Sequence, residues 1–134
     1  MTAPAPDSAL LTTTALATHV LLECWGLDHA VLDDAAGLEE TLLAAARAAR
    51  CEVLGAVKHH FHPQGASVVV LVAESHLSVH TWPEHGYAAF DILTCGNALP
   101  EHGVAALLER LKPPHHSVQR IARGLQPGPF RQIP

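Results

Sequence analysis

Ser67-Val68-Val69-Val70-Leu71-Val72-Ala73 runs straight into Glu74-Ser75-His76-Leu77-Ser78-Val79-His80-Thr81-Trp82-Pro83-Glu84. The first half is dominated by β-branched residues and is apolar at every position from Val68 to Val72. Both faces of such a strand are apolar, the pattern of a central strand covered on both sides. The second half alternates, with Leu77 and Val79 on one face and Ser78 and His80 on the other, until Pro83 stops it. Two adjacent strands of this kind set the sheet.

Outward from this pair, the chain reads as strands linked by two helices. His19 to Trp25 predicts a first strand, ended by Gly26. Glu23 in that apolar run fits an outward-facing position on an edge as well as a place in a site. Asp33 and Asp34 offer caps for a helix through Leu38, Leu42, Leu43, Ala46 and Ala49, whose three- and four-residue spacing makes one apolar face. Glu52 to Val57 predicts a strand, followed by an exposed knot, Lys58-His59-His60-Phe61-His62-Pro63, and a turn at Gln64-Gly65. Tyr87 to Cys95 is a further strand closed by Gly96. Pro100 to Leu111 is a second amphipathic helix, with Val104, Leu107, Leu108 and Leu111 as its stripe. Ser117 to Ala122 is an edge strand.

These elements predict an α+β two-layer sandwich, a mainly antiparallel sheet with two helices on one face. Two helices cover one face only, yet the Val68 to Val72 strand is apolar on both. A second copy packed sheet to sheet resolves the mismatch, so a homodimer is expected. Residues 1–17 read as an arm, 18–125 as one domain, and 126–134 as a proline-rich tail.

Composition narrows the classes. The chain has 134 residues, 49% apolar and 16% charged, with net charge −5, which suits one globular domain. It carries no basic patch, so nucleic acid is not an expected partner. Its three cysteines, Cys24, Cys51 and Cys95, show no Cys-x-x-Cys spacing, which fits a reducing cytoplasm better than a disulfide scaffold. Neither a secretory leader nor a membrane-spanning run is expected from the sequence.

Three chemistries compete for the histidines, serines and cysteines. Eleven histidines suggest a metal, with His60 and His62, or His76 and His80, each sharing a strand face. No Asp or Glu stands at a matching spacing. A hydrolase triad built on Ser75 or Cys95 lacks the Gly-x-Ser-x-Gly elbow. Self-cleavage at Ser75 is the third. A serine hydroxyl attacks the preceding carbonyl if the peptide is strained, an oxyanion donor is near and a base takes the α-proton. His80 and Ser67 are candidates for the base and the donor, although spacing alone brings neither to Ser75.

The residues from Ala73 to Glu84, with Gly86-Tyr87-Ala88-Ala89, Asp91 and Thr94-Cys95-Gly96 in register behind them, resemble the short prokaryotic S-adenosylmethionine decarboxylase proenzymes. Val20-Leu21-Leu22-Glu23-Cys24-Trp25-Gly26, the Phe61-x-Pro63-x-Gly65-x-Ser67 pattern and Arg123-Gly124 extend the similarity over residues 19 to 124. Glu23 departs from it, since the family more often carries Asp there.

The resemblance implies cleavage between Glu74 and Ser75, giving chains 1–74 and 75–134. Ser75 becomes a pyruvoyl group, the cofactor on which the substrate amine forms a Schiff base. His80 and Ser67 match the processing residues, and Cys95 matches the acid that reprotonates the substrate carbon. Phe61 and Trp82 match positions beside the nucleoside, and Glu84 a ribose contact. No metal is implied. The expected reaction is decarboxylation of S-adenosylmethionine to the aminopropyl donor of spermidine synthesis. The competing readings are a pyruvoyl-dependent arginine or ornithine decarboxylase and a non-enzymatic metal-binding dimer.

Overall fold

The computed structural model describes residues 15–125. The element order is β1 (Ala17–Trp25), α1 (His29–Leu32), α2 (Ala35–Ala48), β2 (Glu52–His60), β3 (Ala66–Ala73), β4 (Ser75–Trp82), β5 (Tyr87–Thr94), α3 (Pro100–Leu111) and β6 (His115–Arg123). Strands β4 and β5 are joined by a 3-10 turn, Pro83–His85. One six-stranded sheet has the order β2-β3-β4-β5-β1-β6, and each neighbouring pair is antiparallel. The expected α+β sandwich is present.

Both long helices lie on one face of the sheet. Asp34 caps α2 by accepting from the Gly37 backbone N–H at 3.0 Å, satisfying one of the free donors of the first turn. Pro100 opens α3, where its missing N–H costs no helical bond. The stripe Leu38, Leu42, Ala45 and Ala46 of α2, with Val104 and Leu107 of α3, meets Val20, Leu22, Val68, Val70, Val72, Leu77, Val79, Phe90 and Ile92 from the sheet. Burying a Val, Leu or Ile fully is worth about 1.5–3 kcal/mol, so this layer holds the domain together. The two helices touch at Gly103, where a Cβ would lie 3.3 Å from the Ala45 carbonyl oxygen.

The opposite face of the sheet has no covering within the described chain. Val57, Val69 and Leu71 are 72%, 40% and 53% exposed there. The β3 pattern therefore divides into Val68, Val70 and Val72 inside and Val69 and Leu71 outside.

Four details differ from the sequence reading. Lys58, His59 and His60 continue β2 rather than forming a knot, because they pair with Val68, Ser67 and Ala66 of β3. A single-turn helix, α1, precedes Asp33. Ala17 already belongs to β1, where it pairs with Arg123; residues 1–14 and the proposed tail lie outside the described residues. Glu23 is not on an edge, because β1 lies between β5 and β6. Its carboxylate accepts the Tyr87 hydroxyl.

Candidate active site

Antiparallel register arranges the polar residues of the open face in rows. One row crosses the sheet as His59, Ser67, His80, Ala89, Glu23 and Ser117. A second brings together Trp82, Tyr87 and Trp25. Tyr87 stacks on Trp25 with centroids 4.3 Å apart and lies 5.3 Å from the Trp82 ring. Burial, and then the Glu23 carboxylate, push the Tyr87 phenol up to about 12.

The expected site residues fall into two clusters. In the first, Ser67 Oγ and His80 Nδ1 are 2.7 Å apart, held opposite one another by the β3–β4 register. They share a cavity of about 370 Å³ with Phe61, Gln64, Gly65, Thr81, Trp82 and Glu84. Phe61 and Trp82 expose apolar rings there, 44% and 41% accessible.

The second cluster is Glu74, Ser75 and Cys95. The Cys95 thiol donates to Glu74 Oε1 at 3.0 Å, and its sulfur lies 3.5 Å from the Glu74 carbonyl oxygen. The hydrogen bond to the Glu74 carboxylate, then burial, then the charge of that carboxylate raise the Cys95 pKa and keep the thiol protonated. Ser75 has φ +129°, a conformation that costs a residue with a Cβ about 1–3 kcal/mol. A strained serine, a carbonyl ahead of it and a protonated donor on that carbonyl oxygen meet the chemical demands of acyl transfer to the Ser75 hydroxyl.

The two clusters stand at opposite ends of β4. Five strand steps from Ser75 to His80 span roughly 16 Å. His80 and Ser67 therefore do not reach the Glu74–Ser75 bond of their own chain.

Between the clusters lies a network absent from the sequence reading. Asp91 Oδ2 is 2.6 Å from His19 Nε2 and 2.9 Å from His76 Nε2, and Ser78 donates to the same carboxylate. Burial works to raise the Asp91 pKa, but the hydrogen bonds from Ser78, His19 and His76 outweigh it and leave it lowered. The alternation of β4 and β5 carries the signal for this cluster, but its partners are 72 and 15 residues apart.

The donor atoms of His19, His76 and Asp91 lie within 4.8 Å of one another, close enough for a metal ion. The Arg123 Nη1, however, is 2.9 Å from His19 Nδ1. A guanidinium only donates, so Nδ1 accepts and Nε2 carries the proton aimed at Asp91. An ion on Nε2 requires the opposite tautomer, so this geometry favours a hydrogen-bonded cluster. Of the histidine pairs singled out by spacing, His60 and His62 meet edge to face with centroids 6.1 Å apart, but His60 Nε2 is engaged by Asp33 at 2.8 Å, and His76 and His80 stand roughly 13 Å apart along β4.

Comparison with known proteins shows the family and the fold. The family model described as S-adenosylmethionine decarboxylase matches residues 18–124. A Pyrococcus horikoshii protein named S-adenosylmethionine decarboxylase proenzyme is 47% identical over 109 residues, 81% of this chain and 78% of its own. A Caldanaerobacter subterraneus protein of the same name is 42% identical over 118 residues, 87% of this chain and 95% of its own. The crystal structure of the adenosylmethionine decarboxylase from Aquifex aeolicus superimposes with TM-score 0.78 at 32% identity, covering 89% of this chain and 99% of that one.

Proposed function

The chain belongs to the S-adenosylmethionine decarboxylase family, and we propose that it cleaves itself at Glu74–Ser75 and decarboxylates S-adenosylmethionine in a site completed by a second copy. The observation that carries this reading is the Cys95 sulfur 3.5 Å from the carbonyl oxygen of Glu74, beside a strained Ser75.

In the self-cleavage, Ser75 Oγ attacks the Glu74 carbonyl carbon and the peptide nitrogen leaves it, converting amide to ester. Cys95 donates to the oxygen on which negative charge develops, and the strain at Ser75 is released. A base then removes the Ser75 α-proton, Glu74 departs as a carboxylate, and hydrolysis with loss of ammonia leaves the pyruvoyl group on chain 75–134. His80 is the base we assign, with Ser67 holding its Nδ1. Because these two lie far along β4 from Ser75, the His80 that acts comes from the second copy.

The assignment calls for a homodimer joined through the open sheet faces. Val57, Val69 and Leu71 are exposed on this face, and antiparallel docking brings the Ser67–His80 end of one sheet to the Glu74–Ser75 end of the other. The cavity holding Phe61, Trp82 and Glu84 then faces Ser75 of the second copy. Aromatic faces suit adenine and the sulfonium cation, and a carboxylate suits ribose hydroxyls.

The pyruvoyl group supplies an electron sink for the substrate's α-amino carbon. The chain's own residues orient and protonate. Phe61 and Trp82 hold the nucleoside, and Glu84 fixes its ribose. Cys95 keeps its proton and delivers it to the carbon that carbon dioxide has left.

Purified protein run on a denaturing gel tests the cleavage. Two fragments, 1–74 and 75–134, are expected from wild type and one uncleaved chain from Ser75→Ala. A wild-type chain that stays whole, with a free serine by mass spectrometry, would falsify the reading. A panel of S-adenosylmethionine, arginine and ornithine tests the substrate, with carbon dioxide release expected from the first alone.

A further inference from the structure

We infer that Asp33 is a positioning residue that shapes the nucleoside-binding cavity and so sets its affinity for a purine nucleoside. This rests on the substrate reading above. Asp33 touches no substrate in that reading; it acts through the loop that carries Phe61.

That loop joins β2 to β3 and is closed by the Phe61 N–H donating to the Gly65 carbonyl oxygen at 2.8 Å. Asp33 Oδ1 accepts from the Gly65 backbone N–H at 2.8 Å and lies 2.8 Å from His60 Nε2. One carboxylate oxygen thus holds both ends of the loop, at the residue before Phe61 and at the glycine that closes it. Gly65 has φ +103°, and a Cβ there would lie 3.2 Å from the Thr81 carbonyl oxygen, so the loop is pressed against β4.

The preceding residue strengthens the same clamp. The Thr81 hydroxyl donates to the Leu32 carbonyl oxygen at 2.6 Å and accepts from the Ala66 N–H at 2.9 Å. His29, on the same segment, is 2.7 Å from Gln64 Oε1. The end of α1 is therefore bonded to the Phe61 loop and to the strand that presents His80 and Trp82. These are the walls of the cavity. Its aromatic rings are half exposed, and the aromatic contact of Phe61 among the described residues is an edge-on one with His59, at 4.7 Å between centroids. A loop held only by its own hairpin hydrogen bond samples several Phe61 positions, and stacking on a base tolerates little displacement.

The role predicts a loss confined to nucleoside binding. Affinity for 5′-methylthioadenosine, which has the purine, ribose and sulfur but no α-amino group to react, is measured by titration calorimetry on the cleaved dimer. Asp33→Ala should bind it about tenfold more weakly. Asp33→Asn should stay within about threefold, because its amide oxygen still accepts the Gly65 N–H. The KM for S-adenosylmethionine should rise in parallel for Asp33→Ala, with kcat and the extent of self-cleavage within about twofold of wild type. Unchanged affinity in Asp33→Ala overturns the inference, and so does a fall in kcat as large as the rise in KM. If Asp33→Ala does not fold, His60→Ala carries the test; a loss of about threefold supports the clamp and none overturns it. Failure of the underlying reading looks different: wild type itself neither binds 5′-methylthioadenosine nor turns over S-adenosylmethionine.

Discussion

The thiol of Cys95 lies 3.0 Å from the side-chain carboxylate of Glu74 and 3.5 Å from its carbonyl oxygen, across 21 residues of chain. One group therefore touches the bond proposed to break and belongs, by family resemblance, to the later decarboxylation. Its raised pKa suits both duties, since each needs a proton on sulfur.

Removing the thiol should accordingly impair two steps. Cys95→Ala is expected to self-cleave about tenfold more slowly in a gel time course, less than the 10²–10³ typical of a full oxyanion donor, because the sulfur contact is long. The fraction that does cleave should release little carbon dioxide. Cys95→Ala protein that cleaves and decarboxylates at wild-type rates would remove Cys95 from the mechanism.

The aromatic wall should matter for substrate and not for processing. Stacking of a base on an aromatic ring is worth ~1–3 kcal/mol, so Trp82→Ala should raise KM for S-adenosylmethionine about tenfold. Self-cleavage should be retained. Equal loss of both activities would mean that Trp82 supports the sheet through Tyr87 rather than the ligand.

Asp91 makes stability depend on pH. Its pKa is lowered in the folded state by the bonds from Ser78, His19 and His76, so the unfolded chain binds the proton more readily. The contribution is fully present above the ordinary carboxylate value of about 4 and is lost as pH falls toward the lowered folded value. Urea midpoints measured between pH 3 and pH 7 should therefore fall in acid more steeply for wild type than for Asp91→Asn. Parallel curves would show that the network does not stabilise the fold.

Two copies are needed if the two clusters cooperate. Light scattering should give twice the 14.2 kDa chain mass. A sharper check is complementation between two chains that each fail alone. In a mixture of Ser75→Ala and His80→Ala chains, one composite site regains both residues, so the His80→Ala chain should cleave only when mixed. Cleavage of His80→Ala alone at the wild-type rate would place the base elsewhere.

Much of the fold was legible along the chain. The two-period alternation in His76 to Trp82 and the apolar spacing from Leu38 to Ala49 each report a local periodicity, and the structure has a strand and a helix in those places. The edge strand at Ser117 and the cap at Asp34 are also local signals. Lys58 to His60 carry little strand signal of their own, lysine being depleted in strands; pairing with β3 overrides it. Glu23 stays open between an edge and a site in the sequence because edge or interior position is a property of strand order.

The sequence by itself carried the resemblance that singles out Ser67, Glu74, Ser75, His80 and Cys95, in that order, as the proposed processing and catalytic set. Only the tertiary structure decided which of them meet. Register between antiparallel strands brings Ser67 to His80 and the turn after β5 brings Cys95 to Glu74, while the rise of about 3.3 Å per residue along β4 keeps those pairs apart. Distance along a strand is rigid and distance across a sheet is short, so residues five apart in β4 are remote, whereas Asp33 and Gly65, 32 residues apart, share a hydrogen bond.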